Sequence, residues 1–463
     1  MPPTSRSVVR VASGDNCPSS MNVLLVSTYE LGRQPFGLAS PAAWLAARGH
    51  QVTCSDLSVE SLSAEAVRAA DLVAFYLPMH TATRLAVPFI EKVKRLNDAA
   101  HLCCYGLYAP LNEPYLRSLG VETILGGEFE AGLASLADRL LSKGAATRQT
   151  EPLISLDRLQ FIPPLRSGLP PLEKYAKLRV NGAAKRAGYT EASRGCKHLC
   201  RHCPVVNVYR GSFRIVQPEV VLEDVRRQVA AGAEHISFGD PDFFNGPTHA
   251  MRIVEQMHRE FPALTYDATI KIEHLRNQRP LLPRLRETGC LFVTSAVESV
   301  DDAVLAKLEK GHTRIDFIEV VHEFRSAGLI ISPTFIPFTP WTTRKSYCDL
   351  LELLIELGLV ENVAPIQLAL RLLIPAESRL LELADVQDVV TGFDEPALLH
   401  RWRHPDPSMD ALAGRAMKLA ALQGSRREIF RQFWNLVADR PLPETFDLMP
   451  RATIPYMDEP WYC

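Results

Sequence analysis

Short continuous apolar runs alternate with amphipathic stretches over the first 145 residues. Residues 22–28 (NVLLVST) read as a parallel strand buried on both faces. Residues 37–41 open a helix that runs through 42–48 and stops at Gly49, and residues 50–54 start a second strand. Further strands fall at 71–76, 100–105 and 121–127, with helices between them and a last helix running through Leu141. Strands alternating with helices predict a doubly wound parallel sheet, an α/β Rossmann-like unit over 21–145. Its ligand site lies at the carboxyl ends of the strands.

A proline-rich stretch follows over 146–187. Pro163, Pro164, Pro170 and Pro171 mark it as a linker, while Leu165, Leu169, Leu172 and Tyr175 give it an apolar side to lay on a neighbouring surface. Beyond it the strand–helix alternation resumes. Strands are expected at 189–193, 235–239, 265–270, 291–296, 330–335 and 366–373. Helices are expected at 218–231, 247–260, 280–288, 300–310, 314–326 and 344–357. Six β/α units predict a partial (β/α)6 barrel over 188–390, with functional residues at the strand carboxyl ends. The remainder, 391–463, reads as a mainly helical region with helices near 411–422 and 427–438.

Composition narrows the picture. With 463 residues and 47% hydrophobic content, two or three cored domains are expected. The 51 basic and 53 acidic residues leave a net charge of −2 and no basic run, so neither nucleic acid nor an anionic membrane is implied as partner. No apolar run approaches the ~18 residues of a membrane span. Residues 1–20 lack the apolar core of a signal peptide and read as a disordered tail, or as sequence upstream of a start at Met21. Ten cysteines in a long chain without that signal fit a reducing cytoplasm. Cys54, Cys103, Cys104, Cys290 and Cys348 lie in apolar segments and are expected to be buried small hydrophobes.

The other informative cysteines lie within eight residues: Cys196, Cys200 and Cys203 form a C-x3-C-x2-C loop. At this cysteine frequency the spacing arises by chance only ~0.005 times in the chain. Three thiolates so close must converge on a metal centre or be reactive. A structural zinc site wants four ligands, and nothing nearby supplies a second ligand pair to complete a knuckle with His198 or His202. Three cysteines suit a 4Fe-4S cubane with one iron left open.

This loop, preceded by Ser193-Arg194-Gly195 and followed by Pro204, resembles the radical S-adenosylmethionine (SAM) enzymes. The residue before the third cysteine is usually aromatic in that family; here it is His202. The resemblance implies that the open iron chelates SAM and that the reduced cluster cleaves it to a 5′-deoxyadenosyl radical. It also implies SAM contacts at Gly239, Asp240 and Pro241 after the second barrel strand, a segment that would also suit a plain turn. Glu298 and Ser299, after the fourth strand, match the ribose-contacting position; Ser299 or Asp301 would equally cap a helix. Lys271 is a weaker candidate for the SAM carboxylate, against a solvated lysine. Residues 333–337 would lie near adenine or substrate. Arg371 would face a substrate carboxylate or form a structural salt bridge.

An α/β sheet directly before such a loop resembles the cobalamin-dependent radical SAM class. That resemblance implies a corrin facing segments 29–37, 77–83, 106–110 and 126–130. The Asp-x-His-x-x-Gly signature of base-off cobalamin binding is absent, as in many members of the class. The alternative is a purely structural Rossmann-like domain. The end of the chain, Glu459-Pro460-Trp461-Tyr462-Cys463, looks like the tail of the radical SAM group that closes in Cys-Sec-Ala-Glu-Pro or Cys-Cys-Ala-Glu-Pro, which would put a UGA codon after Cys463; an ordinary terminus is the alternative. The expected function is cobalamin-dependent methylation of an unactivated carbon on a small-molecule or peptide substrate, with flavodoxin or ferredoxin as electron donor. The rivals are a corrin-free radical SAM rearrangement, cyclisation or aminocarboxypropyl transfer, and a non-catalytic iron–sulfur or zinc-binding interaction protein.

Overall fold

The computed structural model describes residues 20–142, 151–448 and 454–458. The expected N-terminal tail, Ser20 apart, and the Glu459–Cys463 tail lie outside the described residues.

The first sheet is wholly parallel. It contains β1 (Asn22–Ser27), β2 (Gln51–Asp56), β3 (Leu72–Tyr76), β4 (His101–Tyr105), β5 (Thr123–Gly127) and a short β6 (Ile154–Ser155), in the order β2-β1-β3-β4-β5-β6. The connecting helices are α1 (Phe36–Ala47), α2 (Ala64–Ala69), α3 (His80–Leu96), α4 (Glu113–Ser118) and α5 (Phe129–Leu141). Side chains alternate across a strand. Leu24 and Val73 therefore enter one core, and their neighbours Leu25 and Leu72 enter the core on the opposite face. Both faces are covered by helices, which is why these strands read as unbroken apolar runs. Strand order reverses between β1 and β3, so their carboxyl-end loops diverge and leave a crevice.

The second sheet curls into a half-barrel. It opens with the hairpin β7 (Lys177–Val180) and β8 (Ala183–Thr190). Next come β9 (Ser193–Gly195), α6 (Pro204–Tyr209), β10 (Phe213–Ile215), α7 (Pro218–Ala230), β11 (His235–Phe238), α8 (Pro247–Glu260), β12 (Thr265–Thr269), α9 (Ile272–Asn277) and α10 (Leu282–Glu287). β13 (Cys290–Glu298), α11 (Asp302–Lys307), α12 (Arg314–Ser326), β14 (Ile330–Phe335) and α13 (Arg344–Glu356) complete it. β8, β11, β12, β13 and β14 are parallel neighbours. The C-terminal region adds α14 (Ala384–Gln387), the hairpin β15 (Val390–Asp394) and β16 (Leu399–Trp402), α15 (Pro407–Ala420), α16 (Arg426–Val437) and α17 (Glu444–Leu448). Met409, Leu412, Phe433 and Trp434 of α15 and α16 bury against the barrel's own core. The chain then returns as β17 (Tyr456–Met457), which pairs antiparallel with β7 and extends the half-barrel sheet.

Three expectations change. The first barrel strand is β8, ending at Thr190; residues 193–195 leave the sheet and pair with β10. The sixth strand, expected at 366–373, is reduced to one parallel bridge between Phe338 and Arg371. Pro365 starts a 3-10 turn over Pro365–Leu368, and Gln367 Oε1 accepts the Phe335 N–H at 3.0 Å, taking a donor that a further strand would have used. The linker is more than a drape. It supplies β6, and its Arg166 pairs with Asp224 of α7 at 2.7 Å while bonding Gln34 and the Tyr189 carbonyl.

Candidate active site

The cysteine loop sits where the two sheets meet. Its backbone is fixed from several sides. Asn245 accepts the Lys197 N–H and donates to the Gly195 carbonyl, the Arg201 N–H bonds the Leu308 carbonyl, and Arg379 donates to the Leu199 carbonyl. Cys196 and Cys203, together with Leu107, Ile154 and Leu156 from the first sheet and the linker, pack against Val205, Val208 and Tyr209. Burial pushes the Cys196 thiol up to about 11 and the Cys203 thiol up to about 12. A metal centre deprotonates its thiols outright. Among the described residues, the trio of ligand atoms found within 4.8 Å of one another is His198, Asp242 and His274.

Beside the thiols lies a buried charge relay. Glu298 ends β13 in the left-handed region, φ 68°, at a register shift against β14. Such a backbone in a non-glycine residue is held by its surroundings. Here Lys310 Nζ at 3.2 Å and His202 Nε2 at 3.1 Å hold the carboxylate. Burial alone raises the Glu298 carboxyl, but Lys310 and His202 outweigh it and hold it down to about 2. Burial likewise lowers Lys310, and Glu298 and Cys200 more than reverse this. His202, which stands where the family usually has an aromatic residue, thus joins the cysteine loop to Glu298. Ser299 accepts the Asp301 N–H and Asp301 caps α11, so the capping role belongs to Asp301.

Gly239 follows β11 directly; a Cβ there would meet the Tyr189 hydroxyl at 2.0 Å, so the close approach needs glycine. Asp240 accepts the Ala192 N–H at 2.9 Å and the Ser193 hydroxyl at 2.6 Å, tying the strand end to the start of the cysteine loop. Its burial pushes the carboxyl up to about 7. Lys271 is buried and paired with Glu273 at 3.0 Å rather than solvated. Arg371 pairs with Asp410 at 2.6 Å and stacks on Trp402, so of the two roles considered the structural salt bridge is realised.

A cluster of ion pairs locks the two sheets together. Arg194, two residues before Cys196, meets Glu191 and Glu130 at 2.6 Å each and Glu128 at 3.4 Å, and lies over the rings of Phe36, Phe129 and Phe161. Sequence reading did not find this contact, nor the Glu298–Lys310 pair. The residues are far apart in the chain and carry no local spacing signal.

Three cavities lie along the two sheets, the first of them beside the loop. One of about 320 Å³ lies between the sheets and is lined by Glu30, Arg33, Met79, Leu107, Gly127 and the Gly239–Pro241 turn. All four strand-end segments expected to face a cofactor contribute to it. A second, of about 880 Å³, opens in the β1/β3 crevice beside Tyr29, Gly32, Val59, Leu85 and Tyr175. The loop after β1 borders both, with Glu30, Leu31 and Arg33 on the first and Thr28, Tyr29 and Gly32 on the second. The one histidine at that strand end, His80, is engaged with the Ala397 carbonyl at 2.7 Å. The third cavity, about 300 Å³, is the barrel lumen, with Thr269, Thr294, Thr334, Arg33, Arg426 and Tyr456 on its wall.

Comparison with known proteins agrees with this geometry. Residues 190–354, the half-barrel with its cysteine loop, match the model of the radical SAM superfamily. The chain is 25% identical to the hopanoid C-3 methylase of Methylococcus capsulatus over 339 residues, 70% of this chain and 64% of that protein. It therefore spans less than two thirds of that relative's length. The fold resembles the radical SAM methyltransferase TsrM of Kitasatospora setae, solved with cobalamin and a [4Fe-4S] cluster (TM-score 0.56, 17% identity, 73% of this chain and 70% of that one). It also resembles the cobalamin-dependent radical enzyme OxsB, solved with aqua-cobalamin and SAM (TM-score 0.63, 13% identity, 86% and 66%). The architecture is thus that of an N-terminal Rossmann-like unit on a radical SAM half-barrel. Among the described residues no helix is long and apolar enough to cross a membrane.

Proposed function

We propose that this chain is a cobalamin-dependent radical SAM enzyme that methylates an unactivated carbon of a small molecule or peptide. The observation that carries the reading is the three-cysteine loop lying next to a cavity between the sheets, which Gly195 and Val205 line together with the loops after β1, β3, β4 and β5. Cys196, Cys200 and Cys203 would hold the cluster, Gly239–Pro241 and Glu298–Ser299 would hold SAM, and the loops after β1, β3, β4 and β5 would hold the corrin. When bound, these groups would supply the electron, the hydrogen-abstracting radical and the methyl group. The protein's own part is positional. Lys310 and His202 keep Glu298 ionised as an acceptor for paired hydroxyls. Asp240 holds the loop entrance, and Arg194 fixes the first sheet against the loop. The domain bounds 21–145, 188–390 and 391–463, a cytoplasmic setting and a flavodoxin or ferredoxin donor belong to the same reading.

The test is corrin binding. Hydroxocobalamin added to the full chain should co-elute at one corrin per chain, and Leu85→Trp, which narrows the crevice cavity, should weaken this while iron content is kept. A wild-type chain that holds no corrin but still cleaves SAM would move the assignment to corrin-free radical SAM chemistry.

A further inference from the structure

The lumen of a closed barrel is filled by bulky apolar side chains. This half-barrel has hydroxyls there instead. Thr269 of β12, Thr294 of β13 and Ser332 of β14 are register neighbours, and all three line the cavity of about 300 Å³. Leu31, Phe292 and Met457 give the cavity an apolar side. Where a sixth strand would stand, the wall is made by Gln367 of the 3-10 turn and by Arg426 and Tyr456 of the C-terminal region.

Two arginines face this space: Arg426, the first residue of α16, and Arg33, in the loop after β1. Neither has a carboxylate partner among the described residues. Arg426 donates to the Glu361 backbone carbonyl at 2.6 Å and lies 5.2 Å from the centre of the Tyr456 ring. Burial lowers it from the usual arginine value, and the Glu361 charge does not make up for that. Arg33 lies over the Tyr189 ring at 4.9 Å, and its buried Nε has no hydrogen-bond partner. Glu30 feels the Arg33 charge without pairing with it. The acid on the wall, Asp267, is engaged through one oxygen by His235 at 2.9 Å and Ser237 at 2.5 Å. A buried cation without its anion is costly, so the lumen is built to receive one.

We infer that the substrate carries a carboxylate and that Arg426 and Arg33 receive it in the barrel lumen. The inference rests on the proposed function and names the class of molecule on which that site acts. Two guanidiniums against the Asp267 carboxylate leave one positive charge. That suits a carboxylate better than a phosphate monoester, which carries about −1.5 to −2 at pH 7. Leu31, Arg33 and Thr269 line both the lumen and the cavity between the sheets, which Gly195 of the cysteine loop also lines. A molecule anchored by the arginines thus has its other end on the side of the cysteine loop.

The test uses full-length protein carrying its cluster and a matched pair of probes, phenylacetate and its uncharged isostere phenylacetamide, in anaerobic equilibrium dialysis with and without SAM. Phenylacetate should bind at one per chain, about tenfold or more tighter than the amide, and SAM should not displace it. Arg426→Met and Arg33→Met should each bring the acid to the level of the amide, and Arg426→Lys should keep a preference for the acid. If Arg426→Met fails to fold, Arg33→Met decides. No binding of phenylacetate, equal binding of acid and amide, or an undiminished preference in the methionine variants overturns the inference. So does tighter binding of phenyl phosphate, or displacement by SAM, which would give the arginines to SAM's own carboxylate. Hydroxocobalamin uptake is scored on the same samples. Acid-selective binding without corrin uptake removes the methyl-transfer reading and keeps the carboxylate site; corrin uptake without acid selectivity removes the site alone.

Discussion

Replacing Arg194 by methionine removes the cation that joins the two sheets and leaves Glu128, Glu130 and Glu191 facing one another. The arginine side chain is 7% exposed, Glu128 and Glu130 are fully covered and Glu191 is 11% exposed, so solvent screens little of the loss. Breaking a buried pair from one side costs about 3–5 kcal/mol. The lost contacts over Phe36, Phe129 and Phe161 add roughly 0.5–1 kcal/mol in all. Part returns because the stranded carboxylates take up protons; burial already raises Glu128 to about 7. We expect a net cost of about 4 kcal/mol in urea-induced unfolding near pH 7. Removing a carboxylate as well, in R194M/E130Q, should recover about half, because Glu130 contributes the two-pronged contact. A cost under ~1 kcal/mol for R194M, or no recovery in the double variant, would refute the claim that this cluster couples the sheets.

Further outcomes follow from the same geometry. Asp240 has its carboxyl raised to about 7 by burial, so the folded state holds a proton that the unfolded state has released from about pH 4 upward; stability should fall as pH rises through that window, and D240N should flatten the slope by up to ~1.4 kcal/mol per pH unit, measured by urea titration at several pH values. Gly239→Ala should cost about 1–3 kcal/mol by thermal unfolding, because its methyl group overlaps the Tyr189 ring; an unchanged transition would mean the strand end gives way freely. Glu298→Ala should weaken SAM binding by ~1.5–3 kcal/mol in calorimetry with iron content kept, and unchanged affinity would place the ribose contact elsewhere.

Much of the chain was legible because its signals are local. The apolar runs at 22–28 and 71–76 marked buried strands, since a two-faced sheet leaves them no polar side. Proline at the first turn of Pro218–Ala230 and Pro247–Glu260 fixed those helix starts to the residue. The cysteine spacing singled out the loop without any structure. The sixth strand failed because an apolar run from Leu368 to Ile374 has the composition of a strand, while a glutamine side chain and Pro365 decide whether it pairs. The role of Arg371 stayed open between a substrate carboxylate and a salt bridge for a similar reason: its partner Asp410 lies 39 residues on, in a helix whose docking no local pattern reveals. The His198–Asp242–His274 group also joins separate elements, and only His198 lies near the cysteine motif.

The central claim is that Cys196, Cys200 and Cys203 arm a radical SAM centre. Its most direct test is reductive SAM cleavage by anaerobically reconstituted full-length protein with dithionite, read as 5′-deoxyadenosine by mass-resolved chromatography. The account predicts cleavage by protein holding about four irons per chain, and none by C196A/C200A/C203A, which should hold no cluster iron. Cleavage that persists in the triple variant, or a four-iron wild type that forms no 5′-deoxyadenosine, would contradict it.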